Sequence, residues 1–137
     1  MNKTIPFILQ LSLIACSMFV AGCGKNPRSP IVFATGTIGF TDGSKLPAGT
    51  LIAFSPVLGG AECASAEVQQ DGSFRLVHAS GAAGAEEGDY LVQLVSPKGM
   101  EADFYKSVPE TYTDGGKLLA KVPPGGGEIK LVLKKSR

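Results

Sequence analysis

The sequence predicts an all-β protein built from seven short strands in two packed antiparallel sheets. Three observations predict it. Apolar residues alternate with polar ones at a period of two in stretch after stretch. Turn residues separate those stretches, with 18 Gly and 9 Pro in 137 residues. No segment carries a helical period of useful length with a cap.

Each strand follows from its own alternation. Thr35 to Phe40 places Ile38 and Phe40 on one face, and Asp42-Gly43 supplies the turn after it. Leu46-Pro47-Ala48-Gly49 is a second bend, and Thr50 to Ser55 turns Ile52 and Phe54 inward. Ala64, Ala66 and Val68 share a side of the third strand. Gln70-Asp71-Gly72-Ser73 is the strongest hairpin signal, and it leads into Phe74, Leu76 and His78 on one face. Ala79 to Gly88 is rich in Gly and Ala and reads as an exposed loop. Asp89 to Val95 is apolar on both faces, as expected of a central or covered strand. Lys117 to Val122 and Glu128 to Lys134 complete the set, joined by Pro123-Pro124 and three glycines, with Ile129, Leu131 and Leu133 facing the core. Ser96 to Gly116 is the longest irregular stretch. Its Met100, Phe104, Tyr105 and Tyr112 predict that it packs back on the domain.

The N-terminus carries a different message. Lys3 precedes an apolar run from Ile5 to Val20, interrupted by Pro6, Gln10 and Ser12. A spanning helix needs about 20 apolar residues; this shorter run at the N-terminus reads as a secretory signal. It ends Val20-Ala21-Gly22-Cys23, which resembles the lipobox of bacterial lipoproteins. Small Ala21 and Gly22 admit a peptidase to the backbone, and the Cys23 sulfur accepts a diacylglyceryl group as a thioether. The amine freed by cleavage takes a further acyl chain, and two or more chains give stable anchoring. The expected organisation is therefore a signal peptide over 1–22, an acylated Cys23 with a polar tether to 32, and a β domain over 33–137. Gly24 stands where Asp would favour retention at the inner membrane, so the outer membrane or cell surface is favoured within the bacterial envelope.

Cysteine arithmetic agrees with this organisation. Cys16 leaves with the leader and Cys23 takes lipid, so Cys63 is left as the one thiol and no intramolecular disulfide forms. Cys63 is expected to be a half-buried small residue. Without Lys3 of the leader the chain carries 12 basic and 12 acidic residues. That balance offers no field to gather nucleic acid.

The order of elements resembles the carboxypeptidase regulatory-like and transthyretin-like domains. Gly36 to Phe54 is similar to their opening of strand, Asp-Gly, apolar-Pro-x-Gly and strand. Asp71-Gly72-Ser73-Phe74 resembles their Asp-Gly-x-Phe hairpin, and Gly88-Asp89-Tyr90-Leu91-Val92 their Gly-x-Tyr-x-Val strand. Val108 to Asp114 and Val122 to Leu133 resemble small bacterial lipoproteins that carry the domain. The resemblance implies a seven-stranded antiparallel prealbumin-like (Ig-like) β-sandwich and an accessory, non-enzymatic role. The hydrolytic branch of the transthyretin-like fold uses several histidines, an arginine and a C-terminal Tyr-Arg-Gly-Ser; this chain has one His and ends Lys-Lys-Ser-Arg.

Little else in the residues points to chemistry. A zinc site needs three or four Cys, His or carboxylate ligands, and His78 with Cys63 falls short; His78 is expected near solvent at a strand end. Glu86, Glu87 and Asp89 lack a calcium-loop pattern and read as a solvated acidic loop. No nucleophile elbow or phosphate loop is present in the sequence, and no cofactor is expected. The candidate binding surface is the 97–116 segment with Phe104, Tyr105 and Tyr112, since loops on a rigid sandwich carry recognition. The expected partners are the membrane, through lipid on Cys23, and an envelope protein or glycan.

Overall fold

Alternation of the kind just read leaves one face of each strand to be buried, and the structure shows against what. The computed structural model of the chain describes residues 29–114 and 118–136, so the leader and Cys23 lie outside the described residues. The elements are β1 (Ile31–Val32), β2 (Ala34–Phe40), β3 (Leu51–Pro56), β4 (Ala64–Glu67), β5 (Ser73–Arg75), β6 (Val77–His78), β7 (Ala85–Glu86), β8 (Gly88–Val95), α1 (Glu101–Ser107), α2 (Glu110–Thr113), β9 (Leu118–Val122) and β10 (Gly127–Leu133). Strands make up 45% and the helices are two and short, so the protein is all-β.

Three strands, in the order β10-β2-β5, form one sheet; five, in the order β6-β4-β3-β8-β9, form the other; β1 and β7 make a small ribbon. The inward faces are those the alternation predicts: Ile38 and Phe40, Ile52 and Phe54, Phe74 and Leu76, Tyr90, Val92 and Leu94, and Ile129, Leu131 and Leu133 are all buried. Phe54 lies at the centre, its ring 6.2 Å from that of Phe74 and 5.7 Å from that of Tyr90. The result is sandwich-like, with apolar side chains from both sheets meeting between them.

Four expectations are corrected. First, the sheets are not wholly antiparallel: β10 runs parallel to β2 from Gly127 opposite Ala34 to Leu133 opposite Phe40. No hairpin joins these strands, and nearly the whole domain connects them, so a parallel pairing meets no connection constraint. Second, the strand read from Phe74 to His78 divides at Leu76. Its first part pairs with β2 and its second with β4, while the Leu76 N–H donates to the Ala34 carbonyl at 3.0 Å. One continuous run thus belongs to both sheets and joins them. Third, the stretch after β8 is not irregular throughout but holds α1 and α2. Glu101 and Asp103 in the first turn of α1 and Lys106 in its last suit the helix dipole. Fourth, pairing begins at Ile31 within the segment read as tether, because β1 takes β7 as its partner.

The helices bridge the two sheets. Phe104 of α1 is fully buried. The Gln93 side chain of β8 donates to the Thr113 carbonyl at 2.7 Å. Beyond β10, the Lys134 N–H donates to the Tyr112 hydroxyl at 3.3 Å and the Ser136 N–H to the Ser107 carbonyl at 3.1 Å.

Strand directions give the domain two distinct ends. The start of β2, the end of β3 and the starts of β8 and β10 lie at the end where the chain enters, called proximal here. The turns at 41–44 and 69–72 and the helices lie at the distal end. Those two turns repeat one design. In Asp42-Gly43-Ser44 and Asp71-Gly72-Ser73 the Asp Oδ1 accepts from both the N–H and the hydroxyl of the Ser two residues on. Gly43 and Gly72, at φ 84° and 85°, supply the left-handed conformation the turn requires. The Ser44 hydroxyl, Lys135 and the Ser44 N–H hold the Asp42 carboxyl well below its usual range, and the Ser73 hydroxyl and N–H lower that of Asp71.

Candidate functional site

The inward parity of β5 and β6 carries His78 inside together with Phe74 and Leu76, and an imidazole there needs polar partners. It finds them at the proximal end. The Ser80 N–H donates to His78 Nδ1 at 3.1 Å, and the Ser80 hydroxyl lies 2.7 Å from the same nitrogen. An Nδ1 that accepts from a backbone N–H carries no proton, which places the ring proton on Nε2. Nε2 faces Glu86 Oε2 at 3.3 Å and Glu62 Oε2 at 3.6 Å. The nearer contact is a hydrogen bond between the ring and the Glu86 side chain.

Glu86 is only 2% exposed. Its Oε2 also accepts the Glu62 N–H at 2.6 Å, and its main-chain carbonyl accepts the Tyr90 hydroxyl at 2.7 Å. Burial, and next to it the nearby Glu86 side chain, pushes the Tyr90 phenol above its ordinary range. Beside this cluster a hollow of about 190 Å³ opens between Ser29, Leu58, Gly59, Glu86 and Tyr90. Two readings are corrected here. His78 is buried rather than near solvent, and Glu86 is a structural acceptor rather than part of a solvated acidic loop. The signal was present: an only histidine at an inward position implies a polar partner, and Glu86 begins the next return of the chain.

The chain Ser80–His78–Glu86 links a hydroxyl, a base and a carboxylate. Its other property is local: the Ser80 N–H and hydroxyl converge on one nitrogen two residues back, which closes the turn after β6. Among the described residues no group of three or more His, Cys, Asp or Glu is placed to hold a metal ion. Cys63 is exposed rather than half-buried, because it precedes the inward Ala64 and points to the opposite side.

The three aromatics proposed as a surface separate on folding. Phe104 is core. Tyr112 is partly buried against that core. Tyr105 is 53% exposed, with its ring edge-on to Phe104 at 5.3 Å and 88°. It lines a distal hollow of about 450 Å³ with Val108, Glu110, Thr113 and Asp114. Phe104→Ala should therefore cost about 3–5 kcal/mol. Tyr105→Ala, losing little more than an edge-to-face contact, should cost no more than about 1.5 kcal/mol. Urea unfolding followed by circular dichroism separates them, and equal losses would place Tyr105 in the core.

A third hollow, of about 850 Å³, lies where β5 leaves β4 for β2. Gln69 and Ser73 are bonded at one end of this hairpin and Ser65 pairs with Val77 at the other. Between them the strands part, and the opening is lined by Thr35, Thr37, Glu67, Ser73 and Arg75. The Arg75 guanidinium sits over the Phe33 ring at 5.5 Å.

No protein-family model, curated protein or solved structure matches the chain.

Proposed function

We propose that the chain is a lipid-anchored protein of the bacterial cell envelope, non-enzymatic, whose β domain serves a structural or interaction role. The observation that carries the reading is Val20-Ala21-Gly22-Cys23 at the end of a short apolar run, directly before a polar tether and a β domain. Acyl chains on Cys23 would hold the domain at a membrane surface, at the outer membrane or cell surface rather than the inner membrane. We take the domain as carboxypeptidase regulatory-like, of the prealbumin type. The ordered turns at 42–43 and 71–72 and two facing sheets support that choice.

A second reading makes the domain a binding module for a glycan or protein. The distal hollow at Tyr105 favours it, because an exposed ring beside Glu110, Thr113 and Asp114 offers a stacking face with polar groups around it.

Metabolic labelling with palmitate tests the anchor. The wild type should take label, and Cys23→Ser should not. Equal labelling of the two would overturn the reading.

A further inference from the structure

We propose that the loop carrying Leu58 is a membrane-contacting tip, which presses on the bilayer and fixes the orientation of the domain above it. The inference rests on the acylation of Cys23 proposed above. Three observations on the structure carry it.

The first is the exposure of the tip. Leu58 is 78% exposed, the most of any large apolar side chain among the described residues, and its neighbour Val57 is 50% exposed. The loop is nevertheless based on a fixed point, since the Val57 N–H donates to the Asp89 carbonyl at 3.0 Å. Gly59 and Gly60 follow, with Gly60 at φ 97° turning the chain back.

The second is position. Ser29, the first described residue, lines the same hollow as Leu58 and Gly59. Ile31, 41% exposed, stands on β1 at the same end, opposite Glu86 of β7. Five residues lie between Cys23 and Ser29. Six steps of at most about 3.6 Å each, whatever their conformation, span no more than about 22 Å. An acylated Cys23 lies at headgroup level, so the proximal end stays within that distance of the lipid.

The third is the selection among apolar sites. Leu119 and Val132 are exposed as well, but they sit along the strands. The Leu58 loop projects from the end that the tether holds down. Glu62, Glu87 and Asp89 share that end, with Lys121 opposite Asp89 in register. With Lys25 and Arg28 in the tether, acidic and basic residues balance around this end, so the apolar tip suits a zwitterionic lipid surface. With the tip down, the hollow at Tyr105 faces away from the membrane.

The chain has no Trp, so a single Trp reports one place. Full-length acylated protein carrying Leu58→Trp, or Tyr105→Trp as the distal counterpart, is reconstituted in phosphatidylcholine vesicles with brominated acyl chains. Mass spectrometry of the N-terminal peptide establishes acylation. The inference expects brominated lipid to quench emission from position 58 with a blue shift, and to leave position 105 unchanged. Acylated protein whose Trp at 58 is quenched by aqueous iodide and not by lipid overturns the tip and leaves the anchor standing. Equal quenching at both positions overturns the orientation. An unmodified Cys23 overturns the anchor and the inference together.

Discussion

Gly36→Ala should unfold the domain or come close to it, although position 36 adopts an ordinary strand conformation. Gly36 is buried in β2, with Phe74 of β5 opposite it on one side and Ile129 of β10 on the other. A Cβ built there falls within 3.0 Å of the Ile129 carbonyl oxygen and of the Phe74 ring carbon Cζ. The ring is 2% exposed and packs against Phe54 in the core, so moving it aside disturbs the centre of the domain. The carbonyl belongs to the parallel ladder and cannot withdraw without breaking it. Overpacking of this kind costs typically about 1–3 kcal/mol, and more where backbone must move. The expected loss is at the upper end of that range or beyond, against a total stability of about 5–15 kcal/mol for a domain. Gly39→Ala, three residues along the same strand, is the control. Its Cβ would meet only the Ser44 carbonyl at 3.3 Å, and the variant should melt near the wild type. If Gly36→Ala melts with Gly39→Ala, the pairing of β2 with β10 is not as described.

That glycine also shows how far the sequence could be read. Period-two alternation identified Ile38 and Phe40 as inward, because alternation is a property of each strand alone; Gly36, with no side chain to mark it, shares their parity and went unread. Which strand lies beside Gly36 is a property of the whole chain. β2 and β10 stand far apart in the sequence, and nothing local sets their direction. The divided strand makes the same point. Phe74, Leu76 and His78 keep one inward parity through the change of partner, so burial was legible and pairing was not. α1 escaped because seven residues with one buried side chain, Phe104, carry no period to detect. Its acidic first turn and basic last turn were the only local signs.

The candidate site was less legible for a related reason. Charged residues are mostly exposed, so an acidic pair in a stretch of Gly and Ala reads as solvated. Glu87 meets that expectation in part: it is partly buried and its carboxylate accepts the Gly125 N–H at 2.8 Å. Glu86 does not, since β7 pairs with β1 and turns its side chain toward His78. The tether segment, read as a spacer, supplies that pairing strand.

Glu86→Ala carries the second large effect, and it tests the cluster directly. The substitution removes the acceptor shared by the Glu62 N–H and His78 Nε2. Each donor left unsatisfied in the interior costs about 1–3 kcal/mol, so the two together should lower stability by about 2–6 kcal/mol on the same scale. Glu86→Gln keeps an oxygen of nearly the same reach for both donors. It gives up charge assistance alone, about 1 kcal/mol for a bond of this type. The order of stability should be wild type, then Gln, then Ala. In a double-mutant cycle with His78→Ala the two losses should fall short of additive, because each single variant already breaks the same bond. Equal losses for Gln and Ala would mean that the carboxylate charge, not the acceptor, is what the site needs. Full additivity would mean that His78 and Glu86 are neighbours without being partners. Because the cluster borders the hollow beneath Leu58, hydrogen exchange in Glu86→Ala should rise first at 57–62 and 79–86. The proximal end would then loosen while the helices and the hollow at Tyr105 keep their protection.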